Sequence, residues 1–241
     1  MTKNDAFGVY SESELPVFAG ARNWKRYFAN RLRRYIAGNV LEVGAGIGAT
    51  TAALCSGDEE AWLCLEPEPR RCAEIEGKID SGLLPSICRA ETGTARDLPS
   101  EPRYNTILYI DVLEHIEDDL GELVAAARLL APGGRLVVLA PAWQWLFSPF
   151  DAAIGHFRRY DRPGLCGLTP PGLSVASAFY LDSAGMLASM ANRFCLRSAM
   201  PTAGQIRIWD RLLIPASRLL DPIIANSYGK SVVVVWRKGD V

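Results

Sequence analysis

Residues 40–48 read VLEVGAGIG, and this stretch decides the fold class. Its first four residues predict a short buried strand that runs directly into a glycine-rich turn. Glycine lets the backbone turn tightly and approach a ligand closely, and the N-terminus of a following helix attracts negatively charged groups. A strand, such a turn and a helix in this order predict a ligand crevice at the carboxyl end of the strand.

Strands and helices alternate on both sides of this turn. Apolar runs predict strands over residues 61–65, 86–90, 104–110 and 135–140, and helical periodicity predicts helices over residues 24–36, 49–55, 69–77 and 118–130. The PGG sequence at residues 132–134 predicts a turn into the last of these strands. The alternation predicts an α/β fold whose parallel sheet is covered by helices on both faces.

The pattern changes after Pro141. Residues 142–173 are rich in aromatic residues, glycine and proline and have no clear period. Beyond them, strands are predicted over residues 174–181 and 231–236, and helices over residues 183–194 and 205–220. No internal repeat or flexible linker interrupts the chain, so we predict one domain over residues 1–241.

The composition excludes two broad classes of protein. The chain has 241 residues, of which 49% are hydrophobic, and this apolar content is enough to offset the chain entropy that keeps disordered proteins unfolded. The 26 Lys and Arg residues are balanced by 27 Asp and Glu residues, giving a net charge of -1. General nucleic-acid binders carry a clear basic excess, so no nucleic-acid partner is expected.

Metal, export and membrane signals are weak. The six cysteines form no C-x-x-C pair and there are only two histidines, so no metal site is predicted. Residues 1–10 are polar and lack the apolar segment of a signal peptide. No window reaches the ~20 apolar residues of a spanning helix. We expect a cytoplasmic protein with reduced thiols.

Two acidic residues accompany the glycine turn. Glu42 lies near the end of the first strand, where a carboxylate is poorly suited to packing, and Glu66 ends the second strand. An acid at the end of that second strand can accept hydrogen bonds from both ribose hydroxyls of a nucleotide. The sequence therefore favours a nucleotide-containing ligand over a bare strand-to-helix turn.

A nicotinamide-dependent oxidoreductase is the main alternative. Gly44, Gly46 and Ala49 fit the G-x-G-x-x-G/A pattern, and Glu66 follows at a suitable distance. However, Glu42 would repel a pyrophosphate, whereas it suits an ammonium or sulfonium ligand. The second half of the chain also lacks another nucleotide-binding half. A scaffold that binds a cofactor without turnover is a further alternative.

Four segments resemble a known family in the same order. Residues 42–48, EVGAGIG, resemble motif I of class I S-adenosylmethionine-dependent methyltransferases. Residues 63–67, LCLEP, are similar to the second motif, and residues 105–116, NTILYIDVLEHI, to the fourth. Residues 130–136, LAPGGRL, resemble the turn before the fifth strand. The resemblance implies a Rossmann-like seven-stranded mixed sheet of order 3-2-1-4-5-7-6, with strand 7 antiparallel and an aromatic-rich lid insertion.

The resemblance also implies roles for residues at matching positions. The methionine end of the cofactor would be lined by Glu42 and by the backbone of Gly44, Ala45 and Gly46. The adenosine part would be held by Glu66 at the ribose hydroxyls, with Pro67 and Thr94 beside the adenine. Asp111 and Val112 would face the methionine part and the transferred methyl group. Residues 1–38 then form a helical cap, residues 39–141 the cofactor-binding half, and residues 142–241 the acceptor lid and closing strands.

The acceptor site is predicted in the lid. Within residues 155–160, GHFRRY, His156 is the candidate base or ligand for the acceptor. Further substrate contacts are predicted at His115, Trp143, Phe147, Arg158, Arg159 and Tyr160. His115 is alternatively structural, and Trp143 and Phe147 are alternatively part of the lid core. The two arginines and Tyr160 suit an anionic acceptor, or they pair with Asp151 or Asp161.

The helix over residues 205–220 leaves several interpretations open. Its apolar side chains lie beside basic ones, so it packs on the domain, forms a dimer seam, covers a lipid-like acceptor or contacts a membrane surface. The predicted function is methyl transfer from S-adenosylmethionine to an oxygen or nitrogen of a small-molecule or lipid-like acceptor, anionic ones included. The product of the cofactor is S-adenosylhomocysteine, and the protein is expected to be a monomer or a homodimer.

Overall fold

A computed structural model describes residues 20–101, 103–191 and 202–240. The polar N-terminal segment, residues 1–10, lies outside the described residues, as does the end of the helix predicted over residues 183–194. Among the described residues, no helix combines the length and the apolar content that crossing a membrane requires.

Seven strands form one mixed sheet. They are β1 (Asn39–Val43), β2 (Ala61–Glu66), β3 (Cys88–Thr92), β4 (Tyr104–Ile110), β5 (Leu130–Pro141), β6 (Leu173–Leu181) and β7 (Ser231–Lys238). The strand order is β3-β2-β1-β4-β5-β7-β6. The first five strands are parallel, while β7 runs antiparallel to both β5 and β6. The predicted fold class and strand order are confirmed.

Helices connect the strands. They are α1 (Arg22–Leu32), α2 (Thr51–Leu54), α3 (Pro69–Asp80), α4 (Asp119–Leu129), α5 (Pro149–Ala153), α6 (Arg162–Gly167), α7 (Ser183–Ala191), α8 (Ala203–Ile208) and α9 (Ile214–Ile223). Short 3-10 turns lie at Arg33–Tyr35, Leu113–His115 and Gln144–Leu146. A π-helical turn, Trp209–Leu213, joins α8 to α9 in one continuous helical run.

The sheet is buried on both faces. Leu108 of β4 and Val137 of β5 belong to one apolar cluster, and their neighbours Ile107 and Leu136 belong to the other. Successive side chains of a strand point to opposite faces, so a strand covered on both sides is apolar throughout. This is why the central strands read as continuous apolar runs, and why every residue from 231 to 236 is buried.

Helix α1 is fixed across one end of the sheet by residues far along the chain. Its N-cap, Ala21, supplies no side-chain hydrogen bond. Instead, the carboxylate of Asp210 in the π-helical turn accepts hydrogen bonds from the backbone N–H groups of Asn23 (3.2 Å) and Trp24 (2.9 Å). A negative charge at a helix N-terminus is favourable, because the N–H groups there have no partners within the helix. The helix is thereby held over the carboxyl end of the sheet.

Two predicted features differ in the structure. The turn predicted at residues 132–134 lies within β5 as an irregularity in the pairing with β4. Tyr104 pairs with Leu130, whereas Thr106 pairs with Arg135, so the residues between Leu130 and Arg135 have no regular partners in β4. Gly133 has a φ of +71°, a conformation that glycine adopts without steric cost. The helix predicted over residues 205–220 is interrupted by the π-helical turn just before Pro215, which has no N–H for a helical hydrogen bond.

The helical run from α8 to α9 buries only part of its predicted apolar side, which consists of Ile206, Trp209, Leu212, Leu213 and Leu220. Ile206 and Trp209 are buried as expected, but Leu212 is 65% exposed. The buried side of the run is completed by polar residues, Asp210, Ser217 and Asp221. The Asp221 carboxylate accepts a hydrogen bond of 2.6 Å from the Tyr27 hydroxyl. The run therefore packs on the sheet and α1 partly through buried hydrogen bonds.

Candidate functional site

A cavity of about 220 Å³ lies at the carboxyl ends of β1 and β4. The glycine turn, residues 44–47, forms one wall, and the segment after β4 forms another. Helix α1 contributes Trp24 and Lys25, and the π-helical turn contributes Trp209. Residues 150–159 of the predicted lid form a further wall, together with Lys230 and Ser231 at the start of β7. The cavity thus joins the turn predicted to bind a cofactor to the segment predicted to bind an acceptor.

The glycine turn is held by hydrogen bonds to the neighbouring strand. The backbone N–H groups of Gly44 and Ala45 both donate to the carbonyl oxygen of Leu65, at 2.8 and 3.1 Å. Gly44 has a φ of +69°, which side chains other than that of glycine rarely allow. A Cβ atom at Gly44 would lie 2.7 Å from the Val112 side chain. Val112 therefore supports the turn from below rather than lining this cavity.

Glu66 fixes the same turn from the end of β2. Its carboxylate accepts hydrogen bonds from the N–H groups of Gly46 (2.8 Å) and Glu68 (3.2 Å), and Arg71 lies 3.6 Å away. Burial raises the pKa of Glu66, and these hydrogen bonds oppose that shift. The half-buried Pro67 follows it. The N–H and hydroxyl of Thr94 both donate to Asp97. Glu66, Pro67 and Thr94 occupy the carboxyl ends of β2 and β3, beside the cavity and not in its wall.

The position of Glu42 corrects the expectation that it lines the methionine end of a cofactor. Its side chain is buried beneath the glycine turn, where Oε2 accepts hydrogen bonds from the Thr51 hydroxyl (2.7 Å) and the Trp62 indole (2.9 Å). Burial raises the pKa of Glu42 to about 7, although both hydrogen bonds favour the charged form. Alternation along β1 turns this side chain towards Trp62 and α2. Glu42 thus supports the site without touching the cavity.

We expect Glu42→Gln to remove a pH-dependent loss of stability. A carboxyl group whose pKa rises from 4.5 to about 7 on folding stabilises the fold below pH 4.5, and this stabilisation is lost as the pH rises through 7. The loss is at most about 3 kcal/mol, at about 1.4 kcal/mol per pKa unit. Urea unfolding at pH 5 and pH 8 measures it. A glutamine variant that loses as much stability between these pH values as the wild type would contradict this assignment. The control is Glu91→Gln, which changes an exposed residue of β3.

Charged groups of both signs face the cavity. Asp111 follows β4 in a left-handed conformation with a φ of +55°, and its carboxylate is accessible to the water of the cavity. Desolvation by the surrounding protein raises the pKa of Asp111 to about 6, while the positive charges of Lys230 and Lys25 oppose this shift. Burial lowers the pKa of Lys25 to about 8, and Asp111 and Asp210 oppose this shift. Burial also lowers the pKa of Lys230. Beside the glycine turn, the wall therefore presents the Asp111 carboxylate together with the Lys25 and Lys230 amines.

The two histidines of the chain meet in the lid wall. The rings of His115 and His156 are 4.5 Å apart at an interplanar angle of 80°. Burial lowers the pKa of both, that of His115 to about 3. His156 Nδ1 lies 3.0 Å from the carboxylate of Asp151, which also binds Arg159 through Nε (2.7 Å) and Nη2 (2.9 Å). Arg159 thus pairs with Asp151, one of the two interpretations of the arginines.

The other predicted acceptor contacts point away from the cavity. Arg158 Nη1 and the Tyr160 hydroxyl both bind the Asp119 carboxylate, at 2.7 and 2.9 Å. Side chains alternate along the extended segment 157–160, so those of Arg158 and Tyr160 lie on the opposite side from that of Arg159. The expectation that Arg158 and Tyr160 join Arg159 at one anion site is therefore not met in this structure.

The aromatic residues of the predicted lid also differ in whether they face the cavity. Trp143 stacks on Tyr180 and Tyr228, with ring centroids 4.8 and 5.8 Å apart, and its indole donates to the Gly229 carbonyl. Phe147 is half-buried and is not part of the cavity wall among the described residues. Of the described Trp and Phe residues between positions 143 and 157, Phe150 is the one that lines the cavity. Trp143 therefore serves the packing of the lid, the alternative that the sequence left open.

Lys25, Lys230 and Glu114 are among the cavity residues that the sequence analysis did not identify. Lys25 lies on a helix that looks uniformly basic and solvated, Lys230 precedes the last strand without a motif, and Glu114 was read only as part of the fourth motif. A lysine among many arginines of one helix carries no local signal of its own. Glu114 did carry a signal, since an acid in an otherwise apolar segment after a buried strand is poorly suited to packing.

A family of methyltransferase domains matches residues 21–168, more than half of the chain. The chain belongs to this methyltransferase family. The match confirms the resemblance to class I S-adenosylmethionine-dependent methyltransferases and covers the glycine turn, β4 and the segment of His156. It favours this family over the dinucleotide-dependent oxidoreductase weighed against it.

Curated relatives of this methyltransferase are distant and match over only part of their length. It is 30% identical over 133 residues to a demethylmenaquinone methyltransferase of Tropheryma whipplei, covering 54% of this chain and 53% of that protein. It is 28% identical over 107 residues to norajmaline N-methyltransferase of Rauvolfia serpentina, covering 43% of this chain and 36% of the relative. The chain thus matches about half or less of the length of these relatives.

Solved structures share the fold of this methyltransferase. A geranyl diphosphate methyltransferase in complex with S-adenosylmethionine superposes with a TM-score of 0.64 at 12% identity, over 92% of this chain and 88% of that one. The cyclase SpnF superposes with a TM-score of 0.59 at 17% identity, over 89% and 80% of the two chains. At these identities the likeness concerns the fold, and the chemistry is argued below from the side chains.

Proposed function

We propose that this protein transfers a methyl group from S-adenosylmethionine to an oxygen or nitrogen of a small-molecule or lipid-like acceptor. The observation that carries the proposal is the charge pattern of the cavity, where Asp111 shares the wall beside the glycine turn with Lys25 and Lys230, both of which lower its pKa. An amino-acid end carries one ammonium and one carboxylate, and this wall offers a partner for each. A pyrophosphate would meet the Asp111 carboxylate as a like charge.

The residues around the turn fit the cofactor. Asp111 would hold its ammonium, Lys25 and Lys230 its carboxylate, and the backbone of residues 44–46 would allow close approach. Glu66 would hold the ribose hydroxyls, because its carboxylate already lies against the turn. S-adenosylmethionine supplies an electrophilic methyl group on a sulfonium, and S-adenosylhomocysteine is the product. Catalysis by the protein is then largely alignment of the acceptor.

The acceptor is proposed to bind between the turn and the lid wall. Phe150 and Ile154 supply apolar contacts, and His156 and Arg159 supply polar ones. His156 contacts the acceptor as a base or as a ligand, and Asp151 fixes the orientation of its ring. Aromatic and apolar surface beside few polar groups suits a small, partly apolar acceptor. The single-domain organisation, the cytoplasmic location and the monomeric or dimeric state remain predictions.

Titration with S-adenosylhomocysteine in a calorimeter tests the cofactor assignment. We expect binding by the wild type, and an affinity about ten- to a hundredfold lower for Asp111→Asn, because a charge-assisted hydrogen bond is lost. Asp58→Asn, in an exposed turn before β2, is the matched control and should bind like the wild type. Absence of binding by the wild type would overturn the proposal, and binding of a nicotinamide dinucleotide instead would favour the oxidoreductase.

A further inference from the structure

Three potential metal ligands converge on the cavity wall. Glu114 and His115 lie in the 3-10 turn after β4, and His156 follows α5, about forty residues further along the chain. One ligating atom from each residue lies within 4.8 Å of the others. All three side chains are at least nine-tenths buried, and all three line the cavity. Two imidazoles and one carboxylate therefore lie close together in the wall of the cavity.

Glu114 is the most unusual member of this cluster. Its side chain is completely buried, and neither carboxylate oxygen has a hydrogen-bond partner among the described residues. The closest cationic candidate, His156 Nε2, is 3.7 Å from Oε1, which is too long for a hydrogen bond. A buried carboxylate without a donor is costly, and native proteins satisfy such groups with a partner, water or an ion. Glu114 is thus oriented towards a partner that the described part of the chain does not provide.

The contacts of His156 fix its ring in an orientation that suits a metal ligand. Its Nδ1 is bound to the Asp151 carboxylate, so Nε2 is the ring nitrogen that faces Glu114. Arg159 binds the same carboxylate through two nitrogens, which fixes it in place. The backbone N–H of Phe157 donates to the carbonyl of Glu114 at 2.8 Å, which ties the two ligand segments together. A carboxylate behind a histidine is the usual outer contact of a metal-binding imidazole.

We propose that Glu114, His115 and His156 bind a divalent first-row transition-metal ion, with open coordination positions facing the cavity. Imidazole ligands favour zinc, copper, iron and nickel ions over magnesium, and Co²⁺ serves below as a coloured probe of such a site. Bond lengths of about 2.1 Å place ligand atoms roughly 3 to 4 Å apart, so small side-chain rotations complete the set. With the ion bound, His156 would act on the acceptor through the metal and not by direct contact: the ion would bind the acceptor oxygen and make its proton easier to lose. This role rests on the proposed function, whereas metal binding itself does not.

Metal binding is tested on protein freed of metal with a chelator. Titration with Co²⁺, followed by calorimetry and by the visible absorption of the bound ion, should give one site per chain. Glu114→Gln and His156→Ala should each lower the Co²⁺ affinity by roughly a hundredfold. Glu117→Gln, an exposed residue three positions along, is the matched control and should bind like the wild type.

The Glu114→Gln variant keeps the test decisive. Glutamine keeps the size of the side chain and replaces a buried ionisable group that has no hydrogen-bond donor, so the variant should fold, and its urea midpoint checks this. Folded Glu114→Gln that binds Co²⁺ like the wild type, or wild-type protein that binds neither Co²⁺ nor Zn²⁺ at micromolar concentration, overturns the metal site. Titration of the metal-free protein with S-adenosylhomocysteine separates the two proposals, because cofactor binding needs none of these three ligands.

Discussion

Replacing Asp151 by Asn is expected to lower the free energy of unfolding by about 3–5 kcal/mol, the range for removing one partner of a buried ion pair. The Asp151 carboxylate is completely buried and accepts hydrogen bonds from the Ser148 N–H and hydroxyl, both at 2.8 Å. It also pairs with the buried Arg159 guanidinium. An amide keeps the size of the side chain but leaves the arginine charge uncompensated. Urea unfolding at pH 7 measures the change.

The control for Asp151→Asn is the same substitution at an exposed ion pair. Asp118 binds Arg96 at 2.9 Å and caps α4, but its side chain is 66% exposed. Asn is as good an N-cap as Asp, and exposed ion pairs contribute about 0–1 kcal/mol, so Asp118→Asn should be nearly neutral. Equal effects at both positions would show that the buried ion pair of Asp151 and Arg159 contributes no more to stability than the exposed pair of Asp118 and Arg96. If Asp151→Asn lowers the free energy of unfolding but leaves S-adenosylhomocysteine binding intact, its effect is confined to the lid, where the acceptor is proposed to bind.

The strands were predictable because their signals are local, whereas their order in the sheet was implied only by the resemblance of the four motifs. Each central strand is a run of apolar residues, and the run at residues 231–236 has no other place than the middle of a sheet. Strand bounds differ by a few residues where glycine or proline allows an irregular pairing, as at the bulge of β5. The positions of α1 and the helical run were less predictable. Asp210 caps a helix that lies almost 190 residues earlier in the chain, and no local pattern indicates such a pairing.

The candidate site was predictable as a location and not as a set of contacts. Asp111 and His156 do reach the cavity, since both follow elements that end at its rim. Glu42 does not, because Trp62 and Thr51 provide donors on the other side of its strand. Arg158 and Arg159 are adjacent in sequence and diverge in space, each towards a different aspartate. The direction of a side chain depends on partners from distant segments, which one sequence does not pair.

Replacing Gly44 by Ala should lower the affinity for S-adenosylhomocysteine by roughly a hundredfold or more, equivalent to about 2.7 kcal/mol. The added Cβ would lie 2.7 Å from one Val112 methyl carbon and 3.0 Å from the other, and Val112 is itself buried. Neither group has room to move, so the turn must shift. A shift breaks the hydrogen bonds from Gly44 and Ala45 to Leu65, on which the shape of the cofactor wall depends. Calorimetric titration measures the loss.

Gly82→Ala separates this steric effect from the cost of the backbone conformation. Gly82 has a φ of +72°, close to the +69° of Gly44, but a Cβ atom there meets nothing within 4 Å. Both variants pay the left-handed backbone cost of roughly 1–2 kcal/mol in stability. Only Gly44→Ala should lose the cofactor, because only there does the new atom push against the wall of the site. If Gly82→Ala lost affinity equally, global destabilisation would explain both results, and Val112 would have no role in shaping the turn.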